Sequence, residues 1–283
     1  METRHEFLRS GVGTYTLEVV CDDLLGDLLA RTGRPYEEVI LRLVNSLTSP
    51  GDHIVDVGAH LGNHSVYWAL SGRRVSAFEP NPPVAEILER NVRANGLAQS
   101  VTISPLALGA RGGAGRLVIG DAHNLGEVSV EPDDHGPVEV ARLDDLDLDQ
   151  FSILKVDVEG HEAEVLAGAT ATLERHRPYV VAEALDGAGS VTEQLHPLGY
   201  RRLLPSLTRF PRTFLYAPSV KAASRAVLTR PYWTATIEGN LERAKNPKTW
   251  IPTTQRLARR VFNHPGEEGP AAPTPGEGAG SDA

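Results

Sequence analysis

Short apolar runs alternate with segments of helical periodicity over much of the chain. Five runs are rich in β-branched residues and have the length of buried strands: residues 53–57, 74–78, 101–104, 153–156 and 179–182. Strands separated by helical segments are typical of βαβ units, in which helices cover both faces of a parallel sheet. The pattern predicts an α/β fold with a doubly wound, mostly parallel sheet.

Two of the segments between these strands carry apolar residues at helical spacing. The first begins at the proline pair Pro82-Pro83, ends near Gly96 and carries Val84, Ile87, Leu88 and Val92. Proline in the first turn and glycine after the last are helix start and stop signals. The second carries Val165, Leu166, Ala169 and Leu173. We expect both stripes to pack against the sheet as part of the core.

Further strands are expected outside this regular alternation. Residues 116–119, 127–130 and 138–141 are predicted to be short strands separated by Gly and Asp turns, inserted before the fourth main strand. Residues 200–204 and 213–217 are predicted to form an antiparallel pair at the edge of the sheet. The domain organisation expected from these patterns has four parts: an N-terminal helical or cap segment (1–45), a cofactor-binding core (46–217), a basic C-terminal appendage (218–264) and a disordered tail (265–283).

Composition and charge narrow the class of protein. The formal net charge is −9, and 41% of the residues are hydrophobic, which argues against general affinity for nucleic acid and suits an ordinary globular protein. No apolar run approaches the roughly 20 residues of a membrane span, and residues 1–10 lack the apolar centre of a secretory signal. We therefore expect a cytoplasmic protein without a membrane partner. Cys21 is the single cysteine, which excludes an intrachain disulfide.

The basic appendage departs from this acidic average. Residues 218–264 contain nine Lys or Arg against Glu238 and Glu242, a local net charge of 9 − 2 = +7, together with Tyr232, Trp233 and Trp250. A lid that contacts an anionic acceptor or carrier is the functional hypothesis for this segment. A solvated helical appendage or a homodimer contact is the simpler alternative.

The segment from residue 56 to residue 63 has the pattern of a cofactor-binding turn. A buried strand ends at Asp56-Val57, Gly58 and Gly62 flank the turn, and a helix follows. The dinucleotide fingerprint G-x-G-x-x-G needs glycine where this chain has His60 and Asn63, so NAD and FAD are disfavoured. An aspartate for an ammonium group and free helix amides for a carboxylate instead suit S-adenosylmethionine.

A second acid supports this assignment. Glu79 closes the second strand, 79 − 58 = 21 residues after Gly58, which is the position of a carboxylate that accepts hydrogen bonds from both ribose hydroxyls. His64 also flanks the turn, where the helix surface is its simplest location. The sequence therefore predicts a set of cofactor-binding residues: Asp56, Gly58, Ala59, His60, Gly62, Asn63, Glu79, Pro80 and Asn81.

Several segments together resemble one known family, the FkbM methyltransferases. They are residues 56–63, 77–81, 143–146, 154–162 and 165–169, followed by Glu183. The resemblance spans roughly residues 36–184, and the Lys-x-Asp-x-Glu-Gly motif at 155–160 is its most specific part. It implies a class I methyltransferase fold and, usually, O-methylation of a sugar or polyketide hydroxyl in bacterial natural-product or glycan pathways.

The acceptor site is expected where the fourth strand leaves the sheet. Methyl transfer to a hydroxyl needs a base for the proton, and His161 is the candidate because an unperturbed imidazole titrates near neutrality. Asp157 and Glu159 are candidates for binding the acceptor hydroxyls. Alternatively, Asp157, Glu159 and Glu183 hold Mg²⁺, which prefers oxygen ligands.

The functional prediction is thus S-adenosylmethionine-dependent O-methylation of a sugar, glycan or polyketide-type hydroxyl. Methylation at nitrogen or carbon by the same fold is one alternative. A cofactor-binding partner protein without catalysis is another.

Overall fold

The computed structural model describes residues 1–120, 128–184, 188–203, 206–208 and 212–219. Apart from Pro218 and Ser219, the basic appendage (218–264) and the tail that was expected to be disordered (265–283) lie outside these ranges. The strands are β1 (Thr3–Ser10), β2 (Gly13–Val20), β3 (His53–Val57), β4 (Arg74–Phe78), β5 (Val101–Ser104), β6 (Ala107–Leu108), β7 (Gly113–Ile119), β8 (Val128–Pro132), β9 (Val138–Ala141), β10 (Ile153–Val156), β11 (Tyr179–Glu183), β12 (Tyr200–Arg202) and β13 (Thr213–Pro218). The α-helices are α1 (Leu24–Thr32), α2 (Glu38–Leu47), α3 (Asn63–Leu70), α4 (Pro82–Ala94), α5 (Glu162–Ala167), α6 (Thr170–His176) and α7 (Gly189–Leu195).

Seven strands form the central sheet in the order β12-β13-β11-β10-β3-β4-β5. Strands β11, β10, β3, β4 and β5 are parallel, and β13 runs antiparallel to both β11 and β12. The doubly wound, mostly parallel sheet is as expected. The predicted antiparallel pair is present, but only β12 forms the edge, because β13 inserts between β12 and β11. The chain order reverses between β3 and β10, and ligands bind at such a switch point in open α/β sheets.

The insertion between β5 and β10 forms its own sheet. Strands β6, β9, β7 and β8 are ordered in that sequence, which matches the strands expected near residues 116–119 and 138–141 and adds β6. The strand predicted at residues 127–130 corresponds to β8, which begins at Val128. Its predicted first residue, Glu127, lies outside the described part of the chain.

The helices follow the apolar stripes with one interruption. Helix α4 begins at the proline pair and buries the predicted stripe. The second stripe is split into α5 and α6 at Gly168, where a Cβ atom would overlap the main-chain oxygen of Gly109. The apolar spacing continues across Gly168, so the break between the two helices is not visible in the sequence pattern. The first helix ends there because the main chains of Gly168 and Gly109 approach closely.

The N-terminal segment differs from the expectation of a helical cap over 1–45. Its first 20 residues form the antiparallel hairpin β1-β2, and helices begin only at Leu24. The hairpin was missed because most β1 side chains are at least partly exposed, which weakens the alternation of a half-buried strand. Asn91 of α4 and Asn95, the residue after that helix, bind the main chain of β2 and hold the hairpin on the core.

Buried apolar side chains form one cluster on each face of the central sheet. One contains Trp68 of α3 and Leu41 of α2, and the other contains Phe151 and Leu166 of α5. Both faces of the parallel strands are therefore covered, as expected from their continuous apolar runs. Among the helices described, none has the length and apolar character required to cross a membrane.

Candidate functional site

The turn after β3 meets the turn after β10 at the switch point of the sheet. Gly58 has φ +76°, and a Cβ atom there would overlap the main-chain oxygen of Asp157. The amides of Gly58 and Ala59 both donate to the Phe78 oxygen at 3.0 Å. Glycine is required at residue 58 for two reasons, the left-handed backbone and the contact between the two turns.

Glu79 connects the ends of β3 and β4. Its carboxylate accepts hydrogen bonds from the amide of His60 at 2.8 Å and from the amide of Asn81 at 2.9 Å. Burial nevertheless raises the pKa of Glu79 to about 7. The predicted residues His60, Glu79 and Asn81 are thus brought together, with Pro80 between the last two, at the carboxyl ends of adjacent strands.

Asp56 does not lie on the open side of this turn. It is fully buried, accepts a hydrogen bond from Ser65 at 2.6 Å and lies 3.3 Å from Lys155 Nζ. The predicted contact between Asp56 and a ligand ammonium group therefore needs correction: its carboxylate is an internal partner of Lys155. The sequence could not distinguish the two roles, because residues 56 and 155 are cross-strand neighbours only once β10 pairs with β3.

Asn63 is also placed differently from the expectation. Its side chain accepts from the Tyr36 amide and donates to the Tyr36 carbonyl, both at 3.0 Å. Gly62 packs against Leu88 of α4, where a Cβ atom would lie 2.5 Å from Leu88 Cδ1. These side-chain positions therefore fix the start of α3 against its neighbours, and only the main chain there is available to a ligand.

Lys155 is the buried cation beneath the site. Its Nζ donates to the Gly58 oxygen at 2.8 Å and lies 3.2 Å from an Asp157 oxygen. Burial alone lowers the pKa of Lys155, but Asp157 and Asp56 outweigh it and raise that pKa above its usual value. The ammonium group is therefore charged and fully engaged, and it ties the two turns together.

Asp157 and Glu183 form a carboxyl pair at the ends of β10 and β11. Burial opposes ionisation of Asp157, but Lys155 and a hydrogen bond from Glu183 lower its pKa to about 2. Burial and Asp157 raise the pKa of Glu183 to about 12. Glu183 thus holds its proton more tightly than Asp157 does, and its buried Oε2 has no hydrogen bond within the described chain. Oxygen atoms of Asp157, Glu159 and Glu183 lie within 4.8 Å of one another.

His161 lies at the start of α5, after the turn at residues 158–160. Its Nδ1 is buried and has no hydrogen bond within the described chain. The neighbouring Glu162 accepts hydrogen bonds from the amides of Val158 and Gly160, each at 3.1 Å. Glu162 thereby fixes the turn that carries Glu159, whose φ is +52°. This role of Glu162 was not predicted, and its place in the 154–162 motif is the one feature that pointed to it.

Three residues that the sequence did not assign to the site also lie there. Glu37 has a pKa raised to about 8 by burial and by Asp157. Tyr36 has a pKa well above its usual value because of Glu37, burial, Glu183, Asp157 and Glu159. His64 is buried rather than on the helix surface, and its pKa is lowered to about 4 by burial and Lys155. Only the tertiary fold brings the main chain of Tyr36 to Asn63 and the carboxyl group of Glu37 to His64.

A doubly wound sheet with a glycine turn, a buried acid on the next strand and ionisable groups at the switch point defines an α/β protein that binds a nucleotide-like cofactor. The family described as the methyltransferase FkbM domain matches residues 56–202, just over half of the chain. The chain belongs to the FkbM methyltransferase family. This confirms the resemblance identified from the sequence motifs.

One curated relative gives a more specific comparison. Hexuronic acid methyltransferase AglP from Haloferax volcanii is 32% identical over 149 residues, which are 49% of this chain and 58% of the relative. The chain thus matches somewhat more than half of the length of that protein.

Two solved structures are similar to this chain. Methyltransferase FkbM from Methylobacillus flagellatus is 23% identical with a TM-score of 0.48, over 65% of this chain and 48% of that one. The tRNA (uracil-54, C5)-methyltransferase of Pyrococcus abyssi, in complex with S-adenosyl-L-homocysteine, is 16% identical with a TM-score of 0.44, over 75% and 44%.

Proposed function

We propose that this chain transfers a methyl group from S-adenosylmethionine to a hydroxyl of a sugar, glycan or polyketide-type acceptor. The observation that carries the proposal is the placement of Asp157, Glu159 and Glu183 beside the Gly58 turn. A methyl donor bound at the turn has hydrogen-bonding groups for an acceptor directly next to it. The curated relative, named for a hexuronic acid, supports a sugar as the acceptor.

The described residues fit the cofactor. Glu79 is a buried carboxyl with two amide partners and one remaining lone pair on each oxygen for ribose hydroxyls. Main-chain amides at the start of α3 suit the carboxylate of the methionine part, since a helix N-terminus favours anions. Asp157 is ionised, partly exposed and next to Gly58. It is therefore a better partner than Asp56 for the ammonium group.

When bound, S-adenosylmethionine supplies a methyl group on a positively charged sulfur. Transfer of that methyl group to an acceptor oxygen would release the demethylated cofactor and the hydroxyl proton, which needs a base. We assign the base to His161, whose Nδ1 has no hydrogen bond in the described chain. Of the two residues predicted to bind the acceptor hydroxyls, Glu159 keeps that role, since Asp157 is assigned to the ammonium group of the cofactor. Holding the oxygen in line with the methyl group supplies much of the rate.

A metal-assisted version uses the same residues. Asp157, Glu159 and Glu183 offer oxygen atoms close enough to bind one Mg²⁺. Glu183 would have to release its proton, so binding is expected to release protons and to weaken as the pH falls. A chelator that abolishes methyl transfer, with recovery on adding Mg²⁺, selects this version.

Calorimetry with S-adenosylmethionine and transfer of its labelled methyl group to sugar acceptors test the proposal. We expect binding by the native protein, weaker binding by Glu79→Ala, and a lower kcat with unchanged cofactor affinity for His161→Ala. His176→Ala is a control, since His176 lies beside Phe151 at the opposite end of β10. A folded protein that binds no S-adenosylmethionine excludes the proposal, and product analysis separates oxygen from nitrogen or carbon methylation.

A further inference from the structure

We infer that Glu162 is a positioning residue for the acceptor: its carboxyl group holds the turn at residues 158–160 in the left-handed conformation from which Glu159 binds an acceptor hydroxyl. The inference rests on the proposed function, in which Glu159 has that binding role. It adds a residue that acts through the turn, without a contact of its own to the acceptor.

The side chain of Glu162 is directed back toward this turn. Glu162 is the first residue of α5 and is 2% exposed. Its Oε1 accepts hydrogen bonds from the amides of Val158 and Gly160, each at 3.1 Å. Burying a carboxyl group costs free energy unless its oxygen atoms are hydrogen-bonded, and both of these partners belong to the turn. The buried acid therefore joins the start of the helix to the turn before it.

These two hydrogen bonds do not cap helix α5. The amides that a helix leaves without a partner are those of its own first residues, and α5 begins at Glu162. The amides of Val158 and Gly160 lie before the helix and before its N-cap residue, His161, whose side chain makes no capping hydrogen bond. Glu162 therefore acts on the turn, which distinguishes it from an acid that only favours the first turn of a helix.

The turn needs this support because its backbone is unfavourable. Glu159 has φ +52° and Gly160 has φ +97°. Glycine adopts a positive φ readily, whereas a residue with a Cβ atom does so at a cost in free energy. Such residues persist where the surrounding structure fixes them, and they concentrate at functional sites. Because Glu162 binds the residues on both sides of Glu159, it fixes the strained residue from both directions.

The start of the turn has a separate support on the cofactor side. A Cβ atom on Gly58 would overlap the main-chain oxygen of Asp157 and lie 3.5 Å from Cγ1 of Val158. Lys155 donates to the Gly58 oxygen and lies 3.2 Å from an Asp157 oxygen. These contacts do not involve Glu162. Loss of Glu162 should therefore displace Glu159 relative to a bound methyl donor while the cofactor turn keeps its own contacts.

The role requires an oxygen atom at residue 162 and no charge. Both amides donate to the same atom, Oε1, and a glutamine side chain carries an equivalent carbonyl oxygen. Glu162→Gln should therefore keep both hydrogen bonds. Glu162→Met fills a similar volume without an acceptor oxygen, so the two variants differ chiefly in the interaction with the turn.

The test compares these two variants in the full chain, with Glu162→Ala as a further variant without the oxygen in case the Met variant does not fold. Asp144→Ala is the matched control. Asp144 is also a buried acid that accepts two amide hydrogen bonds, from Ala171 at 3.2 Å and from Thr172 at 2.8 Å, but it holds the start of α6. Urea unfolding measures the stability lost in each variant.

Three further measurements separate the acceptor from the cofactor. Labelled methyl transfer to methyl glycosides of glucose, galactose and mannose gives kcat and the acceptor KM. Calorimetry gives the S-adenosylmethionine Kd. Hydrogen exchange of the Val158 and Gly160 amides reports opening of the turn directly, without any ligand.

We expect Glu162→Met to raise the acceptor KM about tenfold, the effect of one net hydrogen bond, with an unchanged cofactor Kd and faster exchange of both amides. Glu162→Gln should stay within about twofold of the native KM, because its oxygen accepts the same bonds. Asp144→Ala should lose stability without a change in KM. In a Glu159→Ala background, Glu162→Met should add no further rise in KM, since residues that act through one another are not additive.

An unchanged KM in Glu162→Met, equal rises in the Gln and Met variants, or a full additional rise in the Glu159→Ala background overturns the inference. A protein that binds S-adenosylmethionine but methylates none of the glycosides overturns the sugar acceptor and this inference with it. A native protein that binds no S-adenosylmethionine removes the proposed function itself, which the calorimetry shows before any variant is made.

Discussion

The side chain of Asn63 holds the main chain of Tyr36 by two hydrogen bonds, one in each direction, as a neighbouring strand would. The pairing connects the first residue of α3 to the segment before α2. Because residue 63 also borders the cofactor turn, a contact with the main chain of residue 36 links the N-terminal segment to that turn.

Asn63→Ala should therefore weaken cofactor binding, because the start of α3, next to the cofactor turn, loses its contact with the main chain of Tyr36. Asn95→Ala is a matched control, since Asn95 binds the amide and carbonyl of Thr16 in the same way on the hairpin. Both variants should lose about 1–3 kcal/mol in unfolding free energy. Equal Kd values for S-adenosylmethionine in the two variants would show that the pairing is only structural.

Gly58→Ala should abolish cofactor binding and destabilise the fold. The new Cβ meets the Asp157 oxygen and also occupies a left-handed conformation, which costs about 1–2 kcal/mol by itself. Gly96→Ala carries the same backbone cost, with φ +70°, but no atom lies within 4 Å of its Cβ. Urea unfolding and calorimetry of both variants separate the clash from the backbone cost, and equal destabilisation would argue against the clash.

Lys155→Met should cost about 3–5 kcal/mol in unfolding free energy at neutral pH, because it leaves buried Asp56 without a counter-charge. The loss should shrink as the pH falls and the carboxyl groups take up protons. Adding Asp56→Asn should recover part of the stability. Arg74→Met removes an exposed ion pair with Asp149 and should cost far less, because solvent screens that pair. Similar losses in both single variants would contradict a buried ion pair under the site.

Cofactor affinity should rise with pH between about 6 and 8. Burial raises the pKa of Glu79 to about 7, and ribose hydroxyls donate to its ionised form. For the ligand-free protein the same pKa shift acts in the opposite direction. Folding favours the protonated form of Glu79, so the free energy of unfolding falls as the pH rises through about 7. Calorimetry across this range should show a pH dependence that Glu79→Gln removes. An equally steep profile in the variant would assign the titration to another group.

The sheet was predictable because its signals are local. Each parallel strand is a short apolar run, and both faces of the sheet are covered, so the position of β3 or β11 follows from a few consecutive residues. The proline start of α4 is likewise a local signal. The insertion of β13 between β12 and β11 was not predictable in this way, since pairing order depends on contacts between segments far apart in sequence.

The site was predictable only where its residues border the glycine turn or follow a strand. Gly58, Glu79 and Asp157 are of this kind. The buried state of Asp56 depends on the register between β3 and β10, and the arrival of Tyr36 and Glu37 depends on the path of the N-terminal segment. Neither has a local pattern. A lysine at a central position of an apolar strand was the one available sign that a buried carboxylate partner exists.

The insertion of β13 also has a consequence for how the chain is made. During synthesis, β3, β4, β5, β10 and β11 emerge from the ribosome before residues 213–218, and until then β11 has one unpaired edge and β12 has no neighbour in the sheet. Exposed strand edges invite pairing with other chains. The growing chain therefore carries an unpaired strand edge that is open to aggregation until residues 213–218 have been translated, although the cofactor-site residues are made much earlier.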